Sequence, residues 1–240
     1  MAAYDRIARG QPVSALHEDP RVRRGMERQL AARERLLGEG ARPIGWKLGL
    51  GTAAAMEQYG TSAAVVGHMT DRGLCEPGSA VAIGDWGKPA AEPEIAVHVA
   101  RDVPPDGERD AVAAAIGGLG VAIELVDLGT GELEDILAGD IFHRHVALGP
   151  PSSGIALADL RGAIVLGDEG SYVADPLALV GDPVAALAHL ATHLAAFGET
   201  VRAGDVLITG SIVPALALEP DQRLEYRLEP LGELSLHFVA

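Results

Sequence analysis

Only one cysteine, Cys75, stands in the chain, so no disulfide framework can form within it, which fits a reducing cytoplasm. Lysine is almost as scarce: Lys47 and Lys88 are the only two, and the other 17 of the 19 basic residues are arginine. No apolar run is long enough to span a membrane, and Asp5, Arg6 and Arg9 interrupt the apolar segment that a secretory signal needs. Positive charge is in deficit. The formal net charge of -15 argues against a nucleic-acid backbone or an anionic membrane as partner. A zinc-ligand pattern is also missing, because the eight histidines show no ligand-type spacing. His189 and His193 stand four apart on a helix, but no acid of the HExxH type lies between them. They read as partly exposed residues of its polar face.

What is present is a chain of 240 residues, 48% of them hydrophobic, enough for one large domain or for a small one plus a medium one. Thirty glycines and 15 prolines suit many short strands joined by turns. Residues 1–40 read as helical: Asp19-Pro20 is a cap and first-turn proline, Val22, Met26, Leu30 and Leu37 form an apolar stripe, and Gly38 and Gly40 end it. A strand over 44–50 and a short helix over 53–59 follow. The segment 108–119 has helical composition and lies between two apolar strands, which suggests a βαβ crossover. Residues 162–174 form a hairpin, Asp182-Pro183 opens a helix over 184–196, 206–211 is a buried strand, and 223–239 closes the chain as a second hairpin. The expected architecture is mixed, β-rich α/β, with a small mainly helical N-terminal region (1–70) and a β-rich catalytic domain (71–240).

The chemistry concentrates on two strands. Glu92 and Glu94 lie two residues apart in 90–99 and project from one face, with Cα atoms about 6.6 Å apart. Two like charges on one sheet face repel and push a pKa up unless a cation sits between them, and Mg²⁺ or Mn²⁺ is the hard ion that carboxylate oxygens prefer. The alternative is two solvated side chains at a strand end. Glu124, in the middle of the apolar strand 120–127, adds a third acid of a kind rarely buried unless paired or metal-bound. Lys47 alternates with apolar neighbours in its own strand. Either its amine snorkels to the surface, or it is the basic group that exchanges a proton.

These landmarks come in a recognisable order: Gly45-Trp46-Lys47-Leu48-Gly49-Leu50, Glu92-Pro93-Glu94-Ile95-Ala96, Ala122-Ile123-Glu124-Leu125-Val126-Asp127, Leu207-Ile208-Thr209-Gly210-Ser211, and Leu231-Gly232-Glu233-Leu234-Ser235-Leu236-His237-Phe238. The chain resembles the 2-keto-4-pentenoate hydratase and 4-oxalocrotonate decarboxylase branch of the fumarylacetoacetate hydrolase superfamily, nearly end to end. The resemblance implies a β-roll body, Mg²⁺ or Mn²⁺ held by Glu92, Glu94 and Glu124, and Lys47 in the active site. It also implies a small-molecule 2-oxo acid substrate and a cytoplasmic homo-oligomer. Thr209 and Ser211 then bind substrate oxygens or simply end a strand.

The departures from the family matter too. Gly51-Thr52 replaces a Thr-Ser pair, leaving Thr52 as the surviving polar group. The acid usually found just before the glycine at Gly67 is missing. The Asp-Asn-Ala-Ser-Ser segment is replaced by Gly139-Asp140-Ile141-Phe142-His143, followed by Arg144 and His145. His143 then takes over proton transfer or fills space, and Gly67 and Arg144 count among the substrate-side residues. A metal-dependent lyase, hydratase or decarboxylase, is the expectation. The competing readings are an acylpyruvate hydrolase using His17-Glu18 to activate water, and a non-catalytic subunit that kept the fold.

Overall fold

The computed structural model describes residues 16–173 and 181–240, so the helical expectation for residues 1–15 lies outside the described residues. The chain runs through α1 (Pro20–Gly38), β1 (Pro43–Gly49), α2 (Ala53–Tyr59), β2 (Val65–Thr70), β3 (Leu74–Cys75), β4 (Ala80–Ala82), β5 (Pro89–Val99), α3 (Arg109–Ala115) and β6 (Ile116–Asp127). It continues through α4 (Leu133–Ala138), β7 (His143–Leu148), β8 (Arg161–Leu166), β9 (Glu169–Val173), α5 (Pro183–Ala195), β10 (Val206–Ser211), β11 (Leu216–Ala217), β12 (Arg223–Glu229) and β13 (Gly232–Val239).

α1 begins where a cap dictates. The Asp19 carboxylate accepts the Arg21 N–H at 2.8 Å and Pro20 fills the first turn. Its buried face holds Val22 and Met26 but also Gly25, Gln29 and Arg33, while Leu30 and Leu37 are only half-buried. The stripe is rotated because α1 lies close on α4: a Cβ at Gly25 would come within 2.6 Å of the Leu137 Cβ. Gln29 donates across the contact to the carbonyls of Val66 and Leu137.

Two sheets form the body. The larger has the order β2-β1-β10-β5-β6-β7-β3, with β11 on β5, and the smaller runs β4-β13-β12-β8-β9. β1 and β2 thus share a sheet with strands from after residue 70, so residues 43–70 are built into the β-rich part. The suggested βαβ crossover is corrected: β5 and β6 pair antiparallel, with Glu92 opposite Glu124. A parallel return along an eleven-residue strand must cover roughly 36 Å, and a seven-residue helix such as α3 advances only about 10 Å.

The large sheet is strongly curled. β1 and β6 are three strand spacings apart, about 14 Å in a flat sheet, yet Lys47 on β1 meets Glu124 on β6 through a hydrogen-bonded ion pair. Curling puts one face inside a half-barrel. Its lower part is plugged by Met69, Ala96, Ala122, Val146, Val206 and Ile208. The opposite face, with Trp46, Leu48, Ile95, Ile123 and Leu125, belongs to the main core, which also takes in Tyr226, Leu236 and Phe238 of the small sheet and Leu187, Leu190 and Leu194 of α5. α5 is apolar on nearly every side, so His189 and His193 are buried, each 2% exposed, and not partly exposed as expected. His189 contacts the Ala64 carbonyl at 2.8 Å.

Candidate active site

Above the apolar plug, on the same inner face, the sheet brings together Lys47, Glu92, Glu94 and Glu124. Strand alternation puts Glu92 and Glu94 on one face, and register sets Glu124 directly across from Glu92. One ligand oxygen from each of the three carboxylates lies within 4.8 Å of the others. Glu94 and Glu124 are fully buried, while Glu92 is half-buried and reaches the cleft described below. This excludes the solvated strand-end alternative for the pair.

Two of the three carboxylates are held by hydrogen bonds to one of their oxygens. Glu94 Oε2 accepts the Gly210 N–H at 2.6 Å, and Glu94 Oε1 is buried without a hydrogen-bond partner. Gly210 adopts φ +99, where the bulged end of β10 turns its N–H toward Glu94. Glu124 Oε1 takes both Lys47 Nζ and His143 Nδ1, the latter at 2.7 Å.

The electrostatics favour a cation. Burial pushes the Glu92 carboxyl up to about 7, with Glu124 adding to the rise and Lys47 opposing it. Burial, then Glu124 and Glu92, raise Glu94 well above the usual carboxylate range. At Glu124, burial is outweighed by Lys47 and His143, and its pKa is lowered. For Lys47, burial pulls downward, but Glu124, Asp140 and Glu92 together raise its pKa. Two of the three carboxyls thus resist ionisation with only one ammonium beside them, a cost that a dication among them would relieve, and Glu94 adds a buried oxygen without a partner. Hard oxygen ligands with this charge suit a Mg²⁺-like dication, so the residues present fit the metal that the resemblance implies.

The turn before β7 shapes the rear of the site. Asp140, Ile141 and Phe142 are consecutive non-glycine residues at φ +58, +53 and +65, a left-handed turn that L-residues resist by roughly 1–2 kcal/mol each. It aims three groups at once: the Ile141 carbonyl accepts from Lys47 Nζ at 3.1 Å, Asp140 accepts the His68 N–H at 2.9 Å, and His143 reaches Glu124. The sequence points to Asp140 only through the replaced 139–143 segment, because no sequence pattern announces three left-handed residues in a row.

The remaining expected residues divide. Thr52, Thr209 and Ser211 line a cleft of about 430 Å³ that opens beside Glu92. Thr209 Oγ1 donates to the Ile95 carbonyl, and Thr52 Oγ1 accepts the Ala55 N–H as the cap of α2. Gly67 lies opposite Lys47 in the β1–β2 register, behind the cleft, where a Cβ would lie 2.7 Å from both Lys47 Cγ and Asp140 Oδ1. It makes room for the lysine stem. His143 joins the site by gripping Glu124, and its Nε2 is turned toward Gly73. Arg144 is a correction. A bulge in the β6–β7 pairing breaks the alternation at 143–145, and Arg144 turns away from the acids, is more than half exposed, pairs with Asp127 at 2.9 Å and lies over Trp86.

Comparison with known proteins places this geometry among relatives. The model of the fumarylacetoacetate (FAA) hydrolase C-terminal family matches residues 51–239. The 2-hydroxyhexa-2,4-dienoate hydratase of Comamonas testosteroni is 29% identical over 210 residues, covering 83% of this chain and 80% of that protein. A 4-oxalocrotonate decarboxylase of Pseudomonas putida is 28% identical over 219 residues, with 88% and 83% covered. The structure of 4-oxalocrotonate decarboxylase from Pseudomonas putida G7, complexed with magnesium and adipate, superposes with a TM-score of 0.81 at 25% identity, covering 88% of this chain and 83% of that one. Among the described residues, no helix is long and apolar enough to cross a membrane.

Proposed function

The chain belongs to the fumarylacetoacetate hydrolase C-terminal family, and from that premise we propose that it is a divalent-metal-dependent lyase acting on a 2-oxo-enoate or its 2-hydroxydienoate form, by hydration or decarboxylation. One observation carries the reading: three converging carboxylates, one with a buried orphan oxygen, stand beside a buried lysine at the head of a cleft. The names of the relatives, hydratases and decarboxylases, agree with it, as does the magnesium of the solved neighbour.

Glu92, Glu94 and Glu124 hold Mg²⁺ or Mn²⁺ in this reading, and the bound ion supplies Lewis-acid stabilisation of the charge that develops on the substrate's 2-oxygen. The Gly210 N–H and His143 Nδ1 fix two of these carboxylates in advance, so little reorganisation is needed when substrate enters. Lys47 Nζ holds a proton between Glu124 and the Ile141 carbonyl, and in this reading is the group that gives or takes it. Thr52 and Ser211 offer hydroxyls at the cleft wall, and Leu50 and Val213 give it apolar surface.

The hydrolase alternative needs a water-activating pair in the cleft. Neither His17 nor Glu18 lines it among the described residues. A non-catalytic subunit has no use for an orphan carboxylate beside a buried ammonium. The test is a panel of 2-oxo-enoates, dienols and acylpyruvates assayed with and without Mg²⁺, followed by loss of ultraviolet absorbance and by CO₂ release. Turnover of the first two classes that disappears with a chelator supports the proposal. Turnover confined to acylpyruvates, or indifferent to chelator, defeats it.

A further inference from the structure

Glu92 is the only charged side chain that lines the cleft among the described residues. The walls are mainly apolar, with Leu50, Ala55, Ala64 and Val213 beside the hydroxyls of Thr52 and Ser211, and no arginine, lysine or histidine lines the cleft among the described residues. The nearby cations are already engaged. Lys47 and His143 are spent on Glu124, Arg144 on Asp127, and Arg21, at the end of α2, on Asp19 and the carbonyls of Tyr59 and Gly60. A second carboxylate at the far end of a substrate would therefore enter a mainly apolar slot with no cation to pair with among the described residues, in a protein of net charge -15. Burying an unpaired charge is among the most unfavourable changes a binding site can make. An alkyl tail in the same slot gains from burial, and small residues such as Ala55 and Ala64 leave it space.

We infer that the site takes a 2-oxo acid with a single carboxylate and an uncharged, apolar tail, and rejects chains that end in a second carboxylate. This deepens the proposed function and rests on it, since the carboxylate that does bind is the one expected beside the metal ligands.

The experiment uses the full chain with Mg²⁺ and a matched set of non-reacting ligands: pyruvate, 2-oxohexanoate and 2-oxoadipate, each measured by calorimetric titration. Pyruvate reports the metal end alone, and 2-oxohexanoate adds three methylene-sized groups, each worth up to about fourfold in affinity. 2-Oxohexanoate should bind more tightly than pyruvate, and 2-oxoadipate at least about tenfold more weakly than 2-oxohexanoate. Equal or tighter binding of 2-oxoadipate overturns the inference while leaving the metal–2-oxo acid reading intact. Failure of pyruvate to bind in a Mg²⁺-dependent way sinks that reading itself, and the inference with it. A second arm places a cation in the wall with Ala55→Arg. A narrowed gap between 2-oxoadipate and 2-oxohexanoate supports a tail lying against α2, and an unchanged gap removes the tail from that wall.

Discussion

Replacing Gly67 by alanine should damage turnover through Lys47 without touching a metal ligand. The added Cβ would lie 2.7 Å from Lys47 Cγ, 3.0 Å from Lys47 Cδ and 2.7 Å from Asp140 Oδ1. Carbon atoms pack at about 3.5–4.0 Å, so the lysine stem must move by about 1 Å. It has little room to do so: Lys47 is 1% exposed and its Nζ is tied to Glu124 and the Ile141 carbonyl. Asp140 is no freer, being bonded to the His68 N–H within a left-handed turn. Gly67 is absent from the positive-φ residues, so the penalty is one of contact and not of backbone conformation. Overpacking of this kind costs about 1–3 kcal/mol, which for a chain of this size lowers Tm by roughly 2–4 °C per kcal/mol. A catalytic group misplaced by about 1 Å loses on the order of 100-fold in rate. Thermal unfolding, kcat on a dienol substrate and Mg²⁺ affinity are the three readouts. The expected pattern is a lower Tm, a much lower kcat and Mg²⁺ binding close to wild type. Unchanged Tm and kcat would refute the claim that this glycine makes space for a working lysine.

Lys47→Met should reduce turnover by about 10²–10⁴-fold while Mg²⁺ still binds; lost Mg²⁺ binding with normal turnover would make Lys47 a purely structural partner of Glu124. His143→Ala removes the imidazole that orients Glu124 and should weaken Mg²⁺ affinity by about 10–100-fold. Unchanged affinity together with an altered pH profile of kcat would instead give His143 the proton-carrying role. The buried histidines of α5 make a separate prediction about pH and stability. Burial, followed by His189 and His17, lowers the His193 pKa to about 3, and burial also lowers His189. Below the unfolded value of about 6.5 the unfolded chain binds protons that the folded one refuses, so the contribution is complete above that pH and is lost as pH falls toward the folded value. For His193 the loss by pH 5 is about 2 kcal/mol. Urea unfolding at pH 7 and pH 5 should therefore show a larger drop for wild type than for His193→Phe, and equal drops would contradict the burial argument.

The clustered acids are legible in the sequence because they violate its own pattern. Carboxylates at Glu92, Glu94 and Glu124, and an amine at Lys47, interrupt apolar strands at positions where a core normally excludes charge. That Glu124 faces Glu92 is not legible, since register is a property of pairing between distant segments, and the helical composition of 108–119 suggests a crossover where the strands pair antiparallel. Nor is the curl of the sheet, which alone lets β1 reach β6. Arg144 is hidden for a similar reason: adjacency to His143 suggests proximity, but a bulge in β7 turns the two neighbours apart. The α5 histidines misled for a related reason: an apolar stripe implies a polar face, but this helix is covered on both. Asp140 stayed hidden because its position depends on a left-handed turn with no glycine to betray it.

The most direct test of the central claim is a calorimetric Mg²⁺ titration of the wild-type chain beside Glu94→Gln, which keeps the side chain's shape and its Gly210 contact but removes the charge at the orphan oxygen. The account predicts one ion per chain for wild type and a loss of binding in the variant, with metal-dependent turnover lost in parallel. Undiminished Mg²⁺ binding by Glu94→Gln, or none by wild type, would contradict it.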